Sequence, residues 1–288
     1  MRFGNYFASP QKNRKATGVY IGCFLYIRRQ NLTLLTCAQL NQSNFLIKMK
    51  KLSILPLLLM LCITFSYAQS KKVAVVTFYA VKKIGVADFG SAATIAVSKL
   101  VDDPNFNMSP LLVNFHDQFF NTYSKEFPFE LLPETQVITN ADYKAFTPAG
   151  EATGGVLKDN YNIAIEGYKV VLPLMGHSNE DALLKIFSQA DGVMKVYIDF
   201  DLVKIGFGGM GVVKVNAHAN IALFNKAGDK VFSIKEDAKS KGGSALIGGV
   251  PVLTAEKILP MCESALTELM NALQKDLPKM VKKSDSKL

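Results

Sequence analysis

Apolar and polar positions fall into three kinds of pattern along the chain, and strict alternation is the clearest of them. From Val193 to Lys204, Met194, Val196, Ile198, Phe200 and Leu202 alternate with Lys195, Tyr197, Asp199, Asp201 and Val203. A strand turns successive side chains to opposite faces, so this predicts one apolar and one mostly polar face. From Val212 to Asn225 the same rule groups Val213, Val215, Ala217, Ala219, Ile221 and Leu223 against Lys214, Asn216, His218 and Asn220. The turn Lys226-Ala227-Gly228-Asp229-Lys230 leads into a third strand from Val231 to about Ala238, which completes an antiparallel three-strand meander. The glycine-rich stretch 242–249 is expected to end the meander as a loop.

The second pattern is an unbroken apolar run. Lys72 to Ala80 (KVAVVTFYA) alternates too little for a one-sided strand and predicts a central strand buried on both faces. Pro128–Leu132 and Tyr168–Leu172 are further strand candidates. The third pattern has helical spacing. Leu112, Phe115, Phe119 and Tyr123 follow an expected cap at Ser109-Pro110, and Ile258, Cys262, Ala265, Leu266, Leu269, Leu273 and Leu277 form one stripe of a long helix over Thr254–Leu277 that Pro278 should stop. Shorter helices are predicted over Ser91–Val101, Asn140–Phe146 and Ser178–Gln189, the last opened by Ser178 with Asp181 three residues on. Thr147–Asp159 carries Pro148, Gly150, Gly154 and Gly155 and reads as a mobile loop, and 279–288 reads as a frayed tail. The sum is a single α+β domain over 69–288: the meander, one or two further strands, helices on one face and a long C-terminal helix.

Charge changes the picture at the amino-terminal end. Residues 1–68 hold nine Lys and Arg and no acidic residue, so the 24 basic residues from 69 onward are balanced by all 24 Asp and Glu. The overall +9 is therefore no sign of a polyanion partner, and no nucleic-acid partner is expected. All four Arg lie at positions 2, 14, 28 and 29, which leaves the later chain without a bidentate phosphate clamp. From Met49 the order is two lysines, the apolar run Leu52–Phe65, and Ser66-Tyr67-Ala68 before Gln69. That is the layout of a secretory signal peptide over 49–68, cut between Ala68 and Gln69, with a run shorter than the roughly 20 residues of a membrane span. Residues 1–48 are then expected to be a non-native upstream extension. Cys62 follows Leu61 where a lipobox wants a small residue, and Arg28-Arg29 stands too far upstream to serve a twin-arginine signal. Cys262 is left alone after the cut and falls on the apolar stripe of the long helix, so no internal disulfide is expected.

Few residues suggest chemistry. Gly206–Gly211 satisfies the GxGxxG spacing but joins strand to strand, without the helix amino terminus that would hold a pyrophosphate; no cofactor is expected. Phe207 and Met210 on that hairpin tip are candidate partner contacts. His116, His177 and His218 show no metal-ligand spacing with one another, and no metal site is expected. Asp199 and Asp201 share a strand face about 7 Å apart, beside Lys195. No G-x-S-x-G elbow occurs, and no catalytic residue is assigned.

Val73–Phe78 (VAVVTF), an aromatic helix, Ala190-Asp191-Gly192 entering a strand, an Ala-Gly-Asp turn and a closing helix occur in that order. The order resembles the periplasmic α/β domains of the curli-secretion-channel and penicillin-binding-protein-activator lipoproteins, over most of 72–277. The chain is also similar to small secreted proteins of Bacteroidetes-type bacteria. The resemblance implies a non-enzymatic secreted or periplasmic protein of the cell envelope, in binding or assembly with a protein or peptidoglycan-linked partner. The alternatives are a carrier of an apolar small molecule, needing a cavity among the aromatics, and an envelope enzyme with an unrecognised site. The polar face of the meander, with Lys195, Asp199, Asp201, Asn216, His218 and Asn220, is the expected docking surface.

Overall fold

A computed structural model describes residues 70–149, 161–173, 177–206, 211–247, 250–282 and 284–288. The expected extension, the signal segment with Ala68 and Gln69, most of the loop 147–159, and Phe207 and Met210 lie outside these residues. The unbroken apolar run becomes β1 (Lys72–Val81), whose interior residues are buried throughout, as a strand covered on both faces must be. The alternating segments become β4 (Gly192–Ile205), β5 (Val212–Asn225) and β6 (Lys230–Lys239), each antiparallel to the one before. Gly228, at φ 84°, makes the tight turn between β5 and β6, a conformation that glycine adopts without strain.

The sheet is mixed and extends beyond the expected meander. β1 runs parallel to β4, with a bulge between Val75 and Thr77, and it takes β2 (Glu130–Leu131) in parallel and β3 (Asn162–Ala164) in antiparallel fashion on its other edge. The glycine-rich stretch expected to be a loop holds β7 (Ser244–Ile247), which pairs with Val212 and Val213 of β5 and with β8 (Val250–Pro251). β6 leaves β5 beside Asn216, and Ser240 bridges the change of partner: its N–H donates to the Val215 carbonyl at 2.8 Å and its Oγ accepts from the Val215 N–H at 3.2 Å. The strand expected over Tyr168–Leu172 is absent. Its backbone is satisfied by side chains instead: Thr77 Oγ1 donates to the Lys169 carbonyl and accepts from the Val171 N–H, and Tyr143 Oη accepts from the Lys169 N–H.

The helices are α1 (Ser91–Asp102), α2 (Ser109–Asn121), α3 (Glu134–Ile138), α4 (Ala141–Ala145), α5 (Ser178–Ile186) and α6 (Ala255–Val281). Asn140 caps α4 as expected, its Oδ1 accepting from the Tyr143 N–H. Ser178 does not cap α5; the first turn closes from Asp181 N–H to the His177 carbonyl. α2 and α6 cover the sheet face that carries Phe78, Val196 and Ile221. Phe78 meets Phe115 and Phe119 of α2 at ring-centroid distances of 5.7 and 5.5 Å, and Tyr123 Oη donates to the Met270 carbonyl of α6 at 2.8 Å.

Helices on one face only is an expectation the structure corrects. Segment 169–173, α4 and α5 lie on the opposite face over β1 and the start of β4, where Thr77 and Lys195 are buried. Pro278 does not stop α6, because helical backbone needs no N–H there if one carbonyl does without its bond, and the buried Leu277 and Val281 hold the last turn down. The tail is not frayed: Ser284 is buried, Leu288 packs against the core and the Lys287 carbonyl accepts from Asn225 Nδ2. Among the described residues no helix is long and apolar enough to cross a membrane.

Candidate functional site on the polar face of the sheet

Alternation sets Lys195, Tyr197, Asp199 and Asp201 of β4 on the same face as Asn216, His218 and Asn220 of β5, and register decides which of them meet. Asp199 lies opposite His218, Tyr197 opposite Asn220 and Asp201 opposite Asn216. In β6, Asp237 stands opposite His218 and Lys235 opposite Asn220, which brings two residues to the face that the expected set lacked. Asp199, Asp201, His218, Asn220, Lys235 and Asp237, with Glu236, line a concavity of about 290 Å³.

Lys195 does not belong to this open region. It is 5% exposed, forms an ion pair with the equally buried Glu180 of α5, and lies over the Phe224 ring. A buried cation without such a partner would be severely destabilising, and Glu180 supplies it. Next along β4, Tyr197 stacks on Tyr79 of β1 with centroids 5.1 Å apart. Beyond that stack the cover ends, and Asp199, Asp201, His218 and Asn220 are half-buried.

The contacts among these residues form a chain across the strands. Asn220 Nδ2 donates to Asp199 Oδ2 at 2.8 Å, His218 Nε2 lies 3.1 Å from Asp201 Oδ2, and Asn216 Nδ2 donates to Asp237 Oδ2 at 3.1 Å. Asn216 Nδ2 also lies 3.3 Å from His218 Nε2, while Asn216 Oδ1 is buried without a hydrogen-bond partner. Asp201 is held from the side by Gly85, whose N–H and carbonyl bond to Phe200 and Leu202 as a short extra rung on β4. A methyl group at Gly85 would overlap the Asp201 carboxylate, which would have to turn away to admit it. Burial pushes the Asp199 carboxyl above its ordinary range and the Asp201 charge adds to this, against the opposing pull of His218, the Asn220 bond and Lys235.

The donor atoms of Asp199, Asp201 and His218 all lie within 4.8 Å of one another, a set able to hold a metal ion. Sequence spacing does not group these three residues because they come from two strands. The signal that could have found them is the hairpin register, which puts His218 opposite Asp199. The other histidines stand apart: His116 Nε2 pairs with Glu134 Oε1 at 2.7 Å on the far side of β1, and the His177 ring lies 6.1 Å from the Phe224 ring. Cys262 is fully buried and its thiol is pushed well above its ordinary range by burial, which leaves it unreactive.

No protein-family model matches the chain, and no curated protein matches it. Several solved structures are similar to it, two of which illustrate the likeness. One is described as a neuraminyllactose-binding hemagglutinin homolog from Helicobacter pylori, at 11% identity and a TM-score of 0.33, covering 76% of this chain and 91% of that one. The other is the lipoprotein GNA1162 from Neisseria meningitidis, at 13% identity and a TM-score of 0.30, covering 73% and 99%. Neither bears the curli-secretion-channel or penicillin-binding-protein-activator name, and at these values the likeness assigns no function.

Proposed function

We propose that this chain is a non-enzymatic binding protein of the bacterial cell envelope, exported through 49–68, and that a protein or peptidoglycan-linked partner docks on the polar face around Asp199, Asp201, His218 and Asn220. The observation that carries the reading is the abrupt end of cover along β4. Lys195 is sealed under α5, whereas the residues beyond the Tyr79–Tyr197 stack keep their polar groups at a concave surface. A fold that sealed one end of a strand and left charged groups half-open at the other has a surface suited to a polar partner. Among the residues lining the concavity none is a hydroxyl or thiol nucleophile, which favours binding over acyl transfer.

The carrier reading has one observation behind it, a groove of about 790 Å³ beside β2 lined by Phe120, Phe127 and Phe129 among others. Phe127 and Phe129 stack on each other at 5.0 Å and are already buried in the core, so they offer little apolar surface to a guest. The test of the docking reading is a photo-crosslinking residue placed at exposed Lys235, with exposed Ile95 on α1 as the control, in the native envelope. A discrete adduct from position 235, lost on Asp199→Asn/Asp201→Asn while the melting temperature stays within a few degrees, is the expected result. Equal adducts from both positions would sink the reading.

A further inference from the structure

We infer that the polar face holds a divalent first-row transition-metal ion, ligated by Asp199, Asp201 and His218 with Asn216 beside it; the inference rests on the reading that this face is open to ligands. It starts from hydrogen bonds that cannot all be made with protons. His218 Nε2 faces a carboxylate oxygen of Asp201 and the amide nitrogen of Asn216. If Nε2 carries a proton it serves Asp201 but meets the Asn216 N–H₂ donor to donor. If it does not, it accepts from Asn216 but meets Asp201 acceptor to acceptor. Turning the Asn216 amide moves the conflict to Asp237, which now accepts from Nδ2 at 3.1 Å. As placed, Asn216 is 7% exposed and its Oδ1 has no donor. Asn216 is the buried member of this set, while Asp201, His218 and Asp237 face the open concavity, so the unmet contacts stand where a ligand would enter.

A cation resolves the His218–Asp201 part of this conflict. Bound to the Nε2 lone pair and to Asp201 Oδ2, it turns the acceptor–acceptor approach into two bonds to one centre and needs no proton between them. Two donors each about 2.1 Å from one ion lie about 3.0 to 3.4 Å apart, and the Nε2–Oδ2 separation is 3.1 Å. The third ligand, the Asp199 carboxylate, has an oxygen within 4.8 Å of both and now accepts from Asn220 Nδ2 at 2.8 Å, the bond it gives up to the ion. Charge agrees: the strands turn three carboxylates, of Asp199, Asp201 and Asp237, to this face against Lys235. Gly85, with no side chain, leaves the Asp201 carboxylate the room it occupies. One imidazole with two carboxylates suits zinc or its first-row neighbours, and offers too few oxygens for calcium. Three protein ligands leave a coordination position for a donor group of the partner.

The test is a zinc titration of the full chain, stripped of metal and with no partner present. Calorimetry should show a site that His218→Ala weakens at least tenfold and Asp199→Asn/Asp201→Asn weakens similarly, while His116→Gln and His177→Gln leave it in place. In the unaltered protein, the His218 ring resonances should move with zinc ahead of those of His116 and His177, a readout that needs no variant to fold. Zinc affinity unchanged in His218→Ala, or His218 resonances that stay still, would overturn the inference. A face that crosslinks its partner but takes no zinc loses the ion alone, and one that takes zinc but captures nothing loses the docking reading alone.

Discussion

His116 shows how one side chain is set by groups from three segments. It lies on α2, edge-on to Phe78 at 4.9 Å, and its Nε2 meets Glu134 of α3, which also accepts from Tyr168 Oη at 3.0 Å. Burial works against the imidazolium, but the Glu134 bond and charge, helped by Asp117, outweigh it and raise His116 above its ordinary 6.5. Burial likewise works against the Glu134 carboxylate, yet His116 and Tyr168 draw it below its ordinary 4.5. The His116 contribution to stability is therefore complete below pH 6.5 and lost as pH rises through the raised value. That of Glu134 is present above pH 4.5 and lost as pH falls through the lowered one. Thermal melts from about pH 6 to about pH 9 should show the unaltered protein losing stability faster than His116→Gln. Parallel curves would mean the pair contributes nothing. None of this was legible in the sequence, because Glu134 and Tyr168 reach His116 only through the chain path after α2, which no periodicity encodes.

Among the elements, segment 168–173 departs furthest from its expected form, and the reason lies in two hydroxyls. Tyr-Lys-Val-Val-Leu has strand composition, but its N–H and carbonyl groups are taken by Thr77 Oγ1 and Tyr143 Oη, so it runs extended across β1 without joining a ladder. Thr77→Val keeps the shape and removes both of the Thr77 bonds, leaving the part-buried Lys169 carbonyl and the buried Val171 N–H without partners. The expected cost is about 1 to 3 kcal/mol in urea unfolding, with faster hydrogen exchange at Val171. Exchange at Val171 as slow as in the parent would show that the threonine does not hold the segment. The long alternating strands and the stripe of α6 were legible because each repeats its period over many residues. Pro278 misled because a proline near a helix end is read as a stop, whereas buried Leu277 and Val281 decide where this helix finishes.

At the scale of the whole molecule, alternation told which residues share a face but not what covers it. Lys195 and Asp199 are equivalent in the pattern and opposite in fate, because Glu180 on α5, 15 residues before Lys195, folds over one and not the other. The docking face was thus legible as a set of positions, its open part only in three dimensions. The order of the strands carries a consequence in time. β4, β5 and β6 pair with their sequence neighbours through short turns, whereas β1 must wait for β4, and the Lys72 N–H to Asp191 contact that opens their pairing spans 119 residues. Local pairings form before distant ones because closing a long loop costs entropy first. At a synthesis rate of roughly 5 to 20 residues per second, β1 leaves the ribosome on the order of ten seconds before β4. During that interval KVAVVTFYAV, apolar and free of proline, has the composition of a self-associating strand. Pulse-labelled exchange during refolding should find amides of β4 to β6 protected before those of β1, and protection of β1 first would reverse this order. A chain held unfolded for export would leave this strand in need of a chaperone.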